Sequence, residues 1–231
     1  MVAFHTAFGG GALESDTRSQ IVRLLQEHTK ATVDDLCQAL GLAAATVRRH
    51  LDILQRDALV AYERAQRKAG RPEYAFFLTE TGQESLPKDY GRLLALLLRE
   101  MREVRPAELS EVNGHESVAE LLFSRIARRV ASDHEHSNGH SGADGLDERV
   151  ERTAQVLEKE QFHPLVEHHP DGKRIRLLNC PFRTAALEDP SVCSFDAYLI
   201  SRLTGCEVER EESITTGHAS CVYHLITNAK G

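Results

Sequence analysis

The sequence contains no run of about 18 apolar residues, the length that a helix needs to cross a bilayer. Its first residues, MVAFHTAFGGGALESD, have neither a basic start nor a long apolar stretch and so do not predict a secretory signal. We therefore expect a cytoplasmic protein without a membrane partner, in a reducing compartment where structural disulfides are rare. A Gly-rich phosphate loop and a nucleophile elbow are also missing, so no pattern in the chain predicts an enzyme.

The charge of the chain is acidic overall but uneven along its length. The net charge of −7 argues weakly against nucleic acid as a partner. Residues 41–71, however, contain seven basic and three acidic residues. Because salt screens charges that are more than about 8–10 Å apart, a local basic patch on an acidic protein can still bind phosphates. The net charge therefore excludes no partner.

The N-terminal third has the order of elements of a winged helix-turn-helix. Ile21, Leu24 and Leu25 have helical spacing, and a second short helix, VDDLCQAL, lies between a capping Thr32 and a closing Gly41. A third helix follows in AAATVRRHLDILQRDALV. The apolar period then changes to two in LVAYERA and EYAFFLTE, which are joined by the basic turn QRKAGRP. Three helices followed by a hairpin with a basic tip predict a DNA-binding domain over residues 16–86.

The candidate DNA contacts lie on the third helix and at the tip of the hairpin. In a helix-turn-helix the second helix of the motif enters the major groove, where arginine suits guanine O6 and N7. The wing tip suits phosphate or minor-groove contacts. The candidates are Thr46, Arg48, Arg49 and His50 on the recognition helix and Arg67, Lys68 and Arg71 at the wing tip. Two alternatives stay open: His50 is a packing or phosphate-contact residue, or the whole domain makes protein contacts only.

The rest of the chain predicts an α+β arrangement. Two strongly apolar helical segments, 89–104 and 115–131, are followed by a polar Gly-rich loop at 132–145. Residues 146–231 alternate between helical and strand patterns and include two hairpins. The prediction is therefore an α+β protein with a winged helix-turn-helix (16–86), a helical dimerisation region with a flexible loop (87–145) and a small α+β cysteine-containing domain (146–231). A homodimer would place two recognition helices about 34 Å apart on a palindromic double-stranded DNA operator.

Four of the five cysteines lie in the last domain, with the spacing C-x12-C-x12-C-x14-C. They are Cys180, Cys193, Cys206 and Cys221. Zinc sites usually contain close pairs such as C-x2–4-C, which are absent here. Gaps of this size place each thiol on a different strand, loop or helix end, and a cluster several ångströms across collects such ligands more easily than one ion does. The spacing favours an iron–sulfur cluster, with zinc, a disulfide switch and four buried cysteines without a cofactor as alternatives.

Two sets of residues resemble known families. GLAAATVRRHLDILQRDALV followed by GRPEYAFFLTETG resembles the winged helices of ArsR/DeoR-like bacterial regulators. Together with the spaced cysteines, Asn179-Cys180-Pro181-Phe182 and the later G-x-x-x-C-x-Y resemble the SufR family of iron–sulfur-sensing transcriptional repressors, over nearly the whole chain. That resemblance implies a [4Fe-4S] cluster bound by Cys180, Cys193, Cys206 and Cys221. It also implies repression of iron–sulfur assembly genes that ends when the cluster is lost.

The chain departs from that family in one gap. The family pattern has 13 residues between its second and third cysteines, and this chain has 12. A deletion in the loop near Thr204 and Gly205 would be harmless, whereas one inside a helix would rotate the thiol of Cys206 by about 100°. If only three cysteines bind, the candidate fourth ligands are an outside molecule or one of His168, His218 and His224. A zinc- or thiol-responsive winged-helix repressor, or a C-terminal domain that binds or transforms a small molecule, remain alternatives.

Overall fold

The structure, a computed structural model, describes residues 17–65, 73–105, 108, 117–137 and 145–226. The chain divides into two compact units, Met1–Leu86 and Pro87–Gly231. The three candidate residues of the wing tip, Arg67, Lys68 and Arg71, lie outside the described residues.

The first unit is a winged helix-turn-helix, as the sequence predicts. Its sheet has the antiparallel strand order β1-β3-β2. The predicted apolar positions of the first and third helices are buried, namely Ile21, Leu24, Leu25, Val47, Leu51 and Leu54. Its elements are α1 (Thr17–His28), β1 (Ala31–Thr32), α2 (Val33–Leu40), α3 (Ala44–Arg56), β2 (Val60–Ala65), β3 (Glu73–Leu78) and α4 (Glu80–Glu84).

Local signals at both ends of α2 set the helix-turn-helix geometry. The Thr32 side chain accepts a hydrogen bond from the Asp35 amide at 3.2 Å, and the Thr32 amide donates to the Asp35 carboxylate at 2.9 Å. This capping box satisfies two of the amides that a helix start leaves without partners. At the other end Gly41 has φ +68, a left-handed conformation that glycine adopts without steric cost. The turn at Gly41 allows α3 to start three residues later.

The second unit combines helices with one antiparallel sheet. The strand order is β4-β5-β7-β6, so the two predicted hairpins share a sheet through the β5–β7 pair, in which Leu177 lies opposite Cys221. Short 3-10 turns lie at Pro190–Cys193 and Ile214–Thr216. The regular elements are α5 (Tyr90–Glu103), α6 (Val118–Ser137), α7 (Leu146–Lys159), β4 (Pro164–His169), β5 (Gly172–Leu177), α8 (Arg183–Glu188), α9 (Ser194–Thr204), β6 (Glu207–Glu212) and β7 (Cys221–Ile226).

The two apolar helices that we expected to pair two chains differ in their surroundings. The apolar side chains of α6, such as Phe123, Ile126 and Val130, are buried in the core that also contains the sheet and α9. That expectation is therefore not supported for α6, because its apolar face is already covered within the chain. In addition, α6 continues to Ser137, past the start of the segment expected to be a loop.

The first helix of the pair, α5, keeps an exposed apolar stripe. Leu94, Leu98 and Met101 are about half exposed, while Leu93 and Glu100 on a neighbouring face of the helix are buried. Within the described ranges, no helix combines the length and the apolar character that crossing a membrane requires.

Candidate functional site

The recognition helix presents its basic residues to solvent. Thr46, Arg48 and Arg49 are exposed, while Val47 on the same turn is fully buried. His50 is half-buried, and its Nδ1 atom is enclosed without a hydrogen-bond partner among the described residues. The exposed arginines have the position that major-groove contacts require, whereas the enclosure of Nδ1 favours the packing alternative for His50.

Three of the four spaced cysteines meet at one small cavity of the second unit. Cys180 follows β5, Cys193 ends the 3-10 turn before α9, and Cys221 is the first residue of β7. The cavity is also lined by the carboxylic side chain of Asp196. Its remaining lining is apolar and aromatic: Phe162, Phe182, Ala186, Val192, Phe195 and Ile214.

An aromatic cluster and local caps place these cysteines. The rings of Phe162, Phe182 and Phe195 lie with centroids 5.8–6.1 Å apart, which is the range of favourable ring packing. The Asp189 side chain accepts from the Ser191 amide at 3.0 Å and so starts the turn that ends at Cys193. The cavity volume is only about 10 Å³, roughly the room for one water molecule. A larger group therefore requires the cysteine-bearing segments to move apart.

Cys206 is not brought to this cavity. Gly205 ends α9 in a left-handed conformation, and Cys206 follows Gly205. Because Cys193 precedes α9, the two cysteines lie at opposite ends of this helix. Cys206 is buried, and its Sγ lies 3.8 Å from the carbonyl oxygen of Thr204. The structure thus collects three of the four predicted ligands and leaves Cys206 in the surrounding core.

The alternative histidine ligands are also elsewhere. His168 contacts Lys173, His218 contacts Thr216, and the ring of His224 lies 3.4 Å from a backbone oxygen of the β4–β5 turn. None of the three lines the cavity.

Asp196, by contrast, is a cavity residue that our reading of the sequence missed. It follows Cys193 by three residues, a spacing that places two side chains on one face of a helical segment. An acidic residue at that distance from a cysteine, at the start of a helix, was a signal available in the sequence.

Burial controls the protonation of the site. It raises the pKa of Cys193 to about 12 and that of Cys221 to about 11, and it raises the pKa of Cys180 further still. The negative charge of Asp196 adds to each of these increases. At neutral pH the thiols therefore stay protonated unless a bound cation compensates the charge of the thiolates.

Two neighbouring side chains act on the acidic group and on one thiol. Burial raises the pKa of Asp196 to about 6, although the Tyr223 hydroxyl donates to its carboxylate at 2.8 Å. The guanidinium of Arg210 hydrogen-bonds Cys193 and partly offsets the rise in that thiol's pKa. The site thus contains one positively charged side chain that favours the thiolate form of Cys193.

The donor set is unsuited to a single metal ion. In the described part of the chain, no three or more His, Cys, Asp or Glu side chains are grouped closely enough to hold one ion. Three thiols and a carboxyl nevertheless line one cavity from separate elements.

The basic recognition helix and the wing strands define a winged helix-turn-helix DNA-binding domain. Residues 15–62 match the family model described as "Bacterial regulatory protein, arsR family", which covers about a fifth of the chain. Because that family consists of bacterial regulators, the chain is a DNA-binding transcriptional regulator and not an enzyme.

Other comparisons add little. A comparison with curated proteins finds no match. One similar solved structure is the crystal structure of Bacillus subtilis PadR in complex with operator DNA, with 15% identity and a TM-score of 0.27. That alignment covers 62% of this chain and 90% of the PadR chain. At this TM-score the likeness supports no conclusion about function.

Proposed function

We propose that the protein is a homodimeric repressor whose DNA binding depends on an iron–sulfur cluster, most simply [4Fe-4S], and that it controls iron–sulfur assembly genes. One observation supports the cofactor above all others. Cys180, Cys193 and Cys221, which are 13 and 28 residues apart in the sequence, line a single cavity. The resemblance to the SufR family supports the identity of the target genes.

The residues at the cavity fit a cluster by their chemistry. Cysteine thiolates are the usual ligands of iron–sulfur clusters, and three of them are available here. Asp196 offers an oxygen as a fourth ligand, and the Arg210 guanidinium balances part of the thiolate charge. The three phenylalanine rings make much of the cavity lining apolar. When bound, a cluster supplies a group that is sensitive to oxidants and to iron supply.

A zinc site is the weaker alternative. A structural zinc ion requires four donors in a small tetrahedron. The described residues contain no group of three or more donors close enough together to hold one ion. A thiol switch needs only two of the three neighbouring cysteines, and the cysteine substitutions described below distinguish it from a cofactor.

The proposed dimer uses the exposed stripe of α5. Leu94, Leu98 and Met101 are too apolar to favour contact with water, and pairing with a second copy would bury them. A two-fold dimer then places two α3 helices on the half-sites of a palindrome. Leu98→Glu should convert the dimer to a monomer in light scattering, because it introduces a charge into the apolar contact. A variant that stays dimeric would place the interface elsewhere.

The test of the cofactor is a series of four matched substitutions. The protein is purified without oxygen, and its visible spectrum, iron and sulfide are measured for wild type and for single Cys→Ser variants. We expect Cys180→Ser, Cys193→Ser and Cys221→Ser to lose the coloured cofactor and Cys206→Ser to keep it. Cys206→Ser is the control, since it makes the same chemical change in a buried cysteine outside the cavity.

The other outcomes of this experiment are equally informative. Wild-type protein that stays colourless after reconstitution with iron and sulfide refutes the iron–sulfur proposal. Stoichiometric zinc in that protein supports a metal-responsive regulator, and a loss of two thiols on oxidation supports a thiol switch.

A further inference from the structure

Asn179, the residue before Cys180, is a buried centre of hydrogen bonds. Its side chain is 3% exposed. Nδ2 donates to the carbonyl oxygens of Pro87 at 2.9 Å and Gln161 at 2.7 Å, and Oδ1 accepts from the Lys88 amine at 3.0 Å. A side-chain amide has two N–H donors, and here both are used. Buried amides with this many partners fix the position of the segments that they join.

Two further bonds join the same two segments on the other side of Cys180. The Asp89 amide donates to the Pro181 carbonyl at 3.0 Å, and the Thr184 amide donates to the Tyr90 hydroxyl at 3.1 Å. Residues 179–184, which we call the Cys180 loop, are therefore held to residues 87–90 by four hydrogen bonds. The bonded residues lie on both sides of Cys180 in the sequence, because Asn179 precedes it and Pro181 and Thr184 follow it.

Residues 87–90, which we call the connecting segment, continue the chain directly from Leu86, the last residue of the DNA-binding unit. They also start α5, since the Asp89 side chain accepts from the Arg92 amide at 3.1 Å. The connecting segment thus lies in the chain between the DNA-binding unit and the helix that we propose as the dimer contact.

We infer that Asn179 is a positioning residue that couples the cofactor site to DNA binding by holding the Cys180 loop against the connecting segment. The inference rests on the proposed function. The cavity has room for about one water molecule, so a bound cluster must move at least one of the cysteine-bearing segments, and the inferred coupling assigns that displacement to the Cys180 loop. Because the residues on both sides of Cys180 are bonded to the connecting segment, that displacement moves the segment or breaks its bonds.

The test compares operator affinity with and without cofactor in wild type and in Asn179→Ala. The probe is a fluorescent duplex that wild-type protein selects from a random-sequence pool, read by anisotropy. Coupled sites usually change each other's affinity by about 5–150-fold, and we expect a ratio in this range for wild type. In Asn179→Ala, which removes two of the four hydrogen bonds, the ratio should fall at least about two-fold below that of wild type. Its visible spectrum and iron content should match those of wild type.

A second variant removes two of the four hydrogen bonds from the side of the connecting segment. Lys88→Met with Tyr90→Phe leaves every residue of the Cys180 loop in place, and it should reduce the ratio as well. If Asn179→Ala does not fold or does not bind the cofactor, this double variant tests the inference in its place. The matched control is Thr153→Val, which deletes a buried hydroxyl that donates to the Arg149 carbonyl at 2.7 Å within α7. The control should keep the wild-type ratio.

Hydrogen exchange of wild-type protein gives a readout that does not depend on DNA. Cofactor loading should change the exchange rate of the Asp89 and Thr184 amides. Loaded variants that keep the wild-type affinity ratio, or exchange rates that do not respond to loading, overturn the inference. If wild-type protein binds no cluster, or if its operator affinity is the same with and without the cluster, the proposed function is refuted and the coupling with it.

Discussion

The carboxylate of Glu100 on α5 gives the sharpest prediction about stability. Its side chain is 2% exposed and accepts from Arg125 Nε at 2.9 Å and from Arg129 Nε at 2.5 Å, both on α6. Glu108 and Glu103 contact the same two arginines at more exposed positions. Glu100→Gln removes the charge but keeps the shape of the side chain. One arginine then faces the new amide N–H group, which cannot accept a hydrogen bond.

The expected loss of unfolding free energy is about 2–3 kcal/mol. Hydrogen bonds to charged groups contribute about 1.5–3 kcal/mol each, and breaking a buried ion pair costs about 3–5 kcal/mol. The value for Glu100→Gln should lie below that second range for two reasons. The arginine side chains are 19% and 24% exposed, so water reaches them, and each keeps a second carboxylate partner.

Urea unfolding followed by circular dichroism measures this loss, because the chain has no tryptophan for fluorescence. With a slope near 2 kcal/mol per molar urea, the midpoint of the second unit's transition should fall by about 1 M. Glu27→Gln is the control, since it makes the same change in an exposed pair with Arg23 and should cost less than about 1 kcal/mol. Equal shifts in the two variants would refute the assignment of a buried, structural carboxylate.

The same residue gives a pH dependence with a definite sign. Burial alone would raise the pKa of Glu100, but hydrogen bonds and charge from Arg129 and Arg125 outweigh burial and lower the pKa. A carboxylate with a lowered folded-state pKa stabilises the fold fully above its unfolded pKa. That contribution is lost as the pH falls through the folded pKa. Glu100→Gln should therefore lose less stability than wild type does between neutral and strongly acidic pH.

Three further predictions concern substitutions of single residues. Arg48→Ala should weaken operator binding and, if Arg48 contacts a phosphate, reduce the slope of log K against log salt by about 0.9 in anisotropy titrations, with thermal stability unchanged. Tyr223→Phe removes the donor to the buried Asp196 carboxylate and should cost about 1–3 kcal/mol in urea unfolding. Gly41→Ala should cost about 1–2 kcal/mol in a thermal melt through backbone strain alone, since the added methyl group meets no atom within 4 Å.

The winged helix was predictable because its signals are local. The capping Thr32, the closing Gly41 and the helical spacing of Val47, Leu51 and Leu54 each act within a few residues. The change of period from helix to strand then gives the hairpin. These features depend on no distant contact, and the structure confirms each of them.

The details of the second unit depend on contacts between distant segments. The sequence predicted the two hairpins and the helix after Cys193, since these too have local patterns. It did not indicate that Asn179 would bond to residues 87–90, some 90 positions earlier in the chain. Nor did it identify α6 as a buried helix, because an apolar face is the same in the sequence whether its own chain or a second copy covers it.

The exclusion of Cys206, however, follows from an element that the sequence did predict. Cys193 precedes α9 and Cys206 follows it, and the 11 residues of this helix span about 16 Å. Ligands of one cluster several ångströms across cannot lie at both ends of such a helix, even when each thiol is turned toward the other. A cofactor bound by all four cysteines would therefore require α9 to unwind. The apolar side chains that α9 buries, Phe195, Leu199 and Ile200, oppose that change, and this favours the proposed site built on Cys180, Cys193 and Cys221.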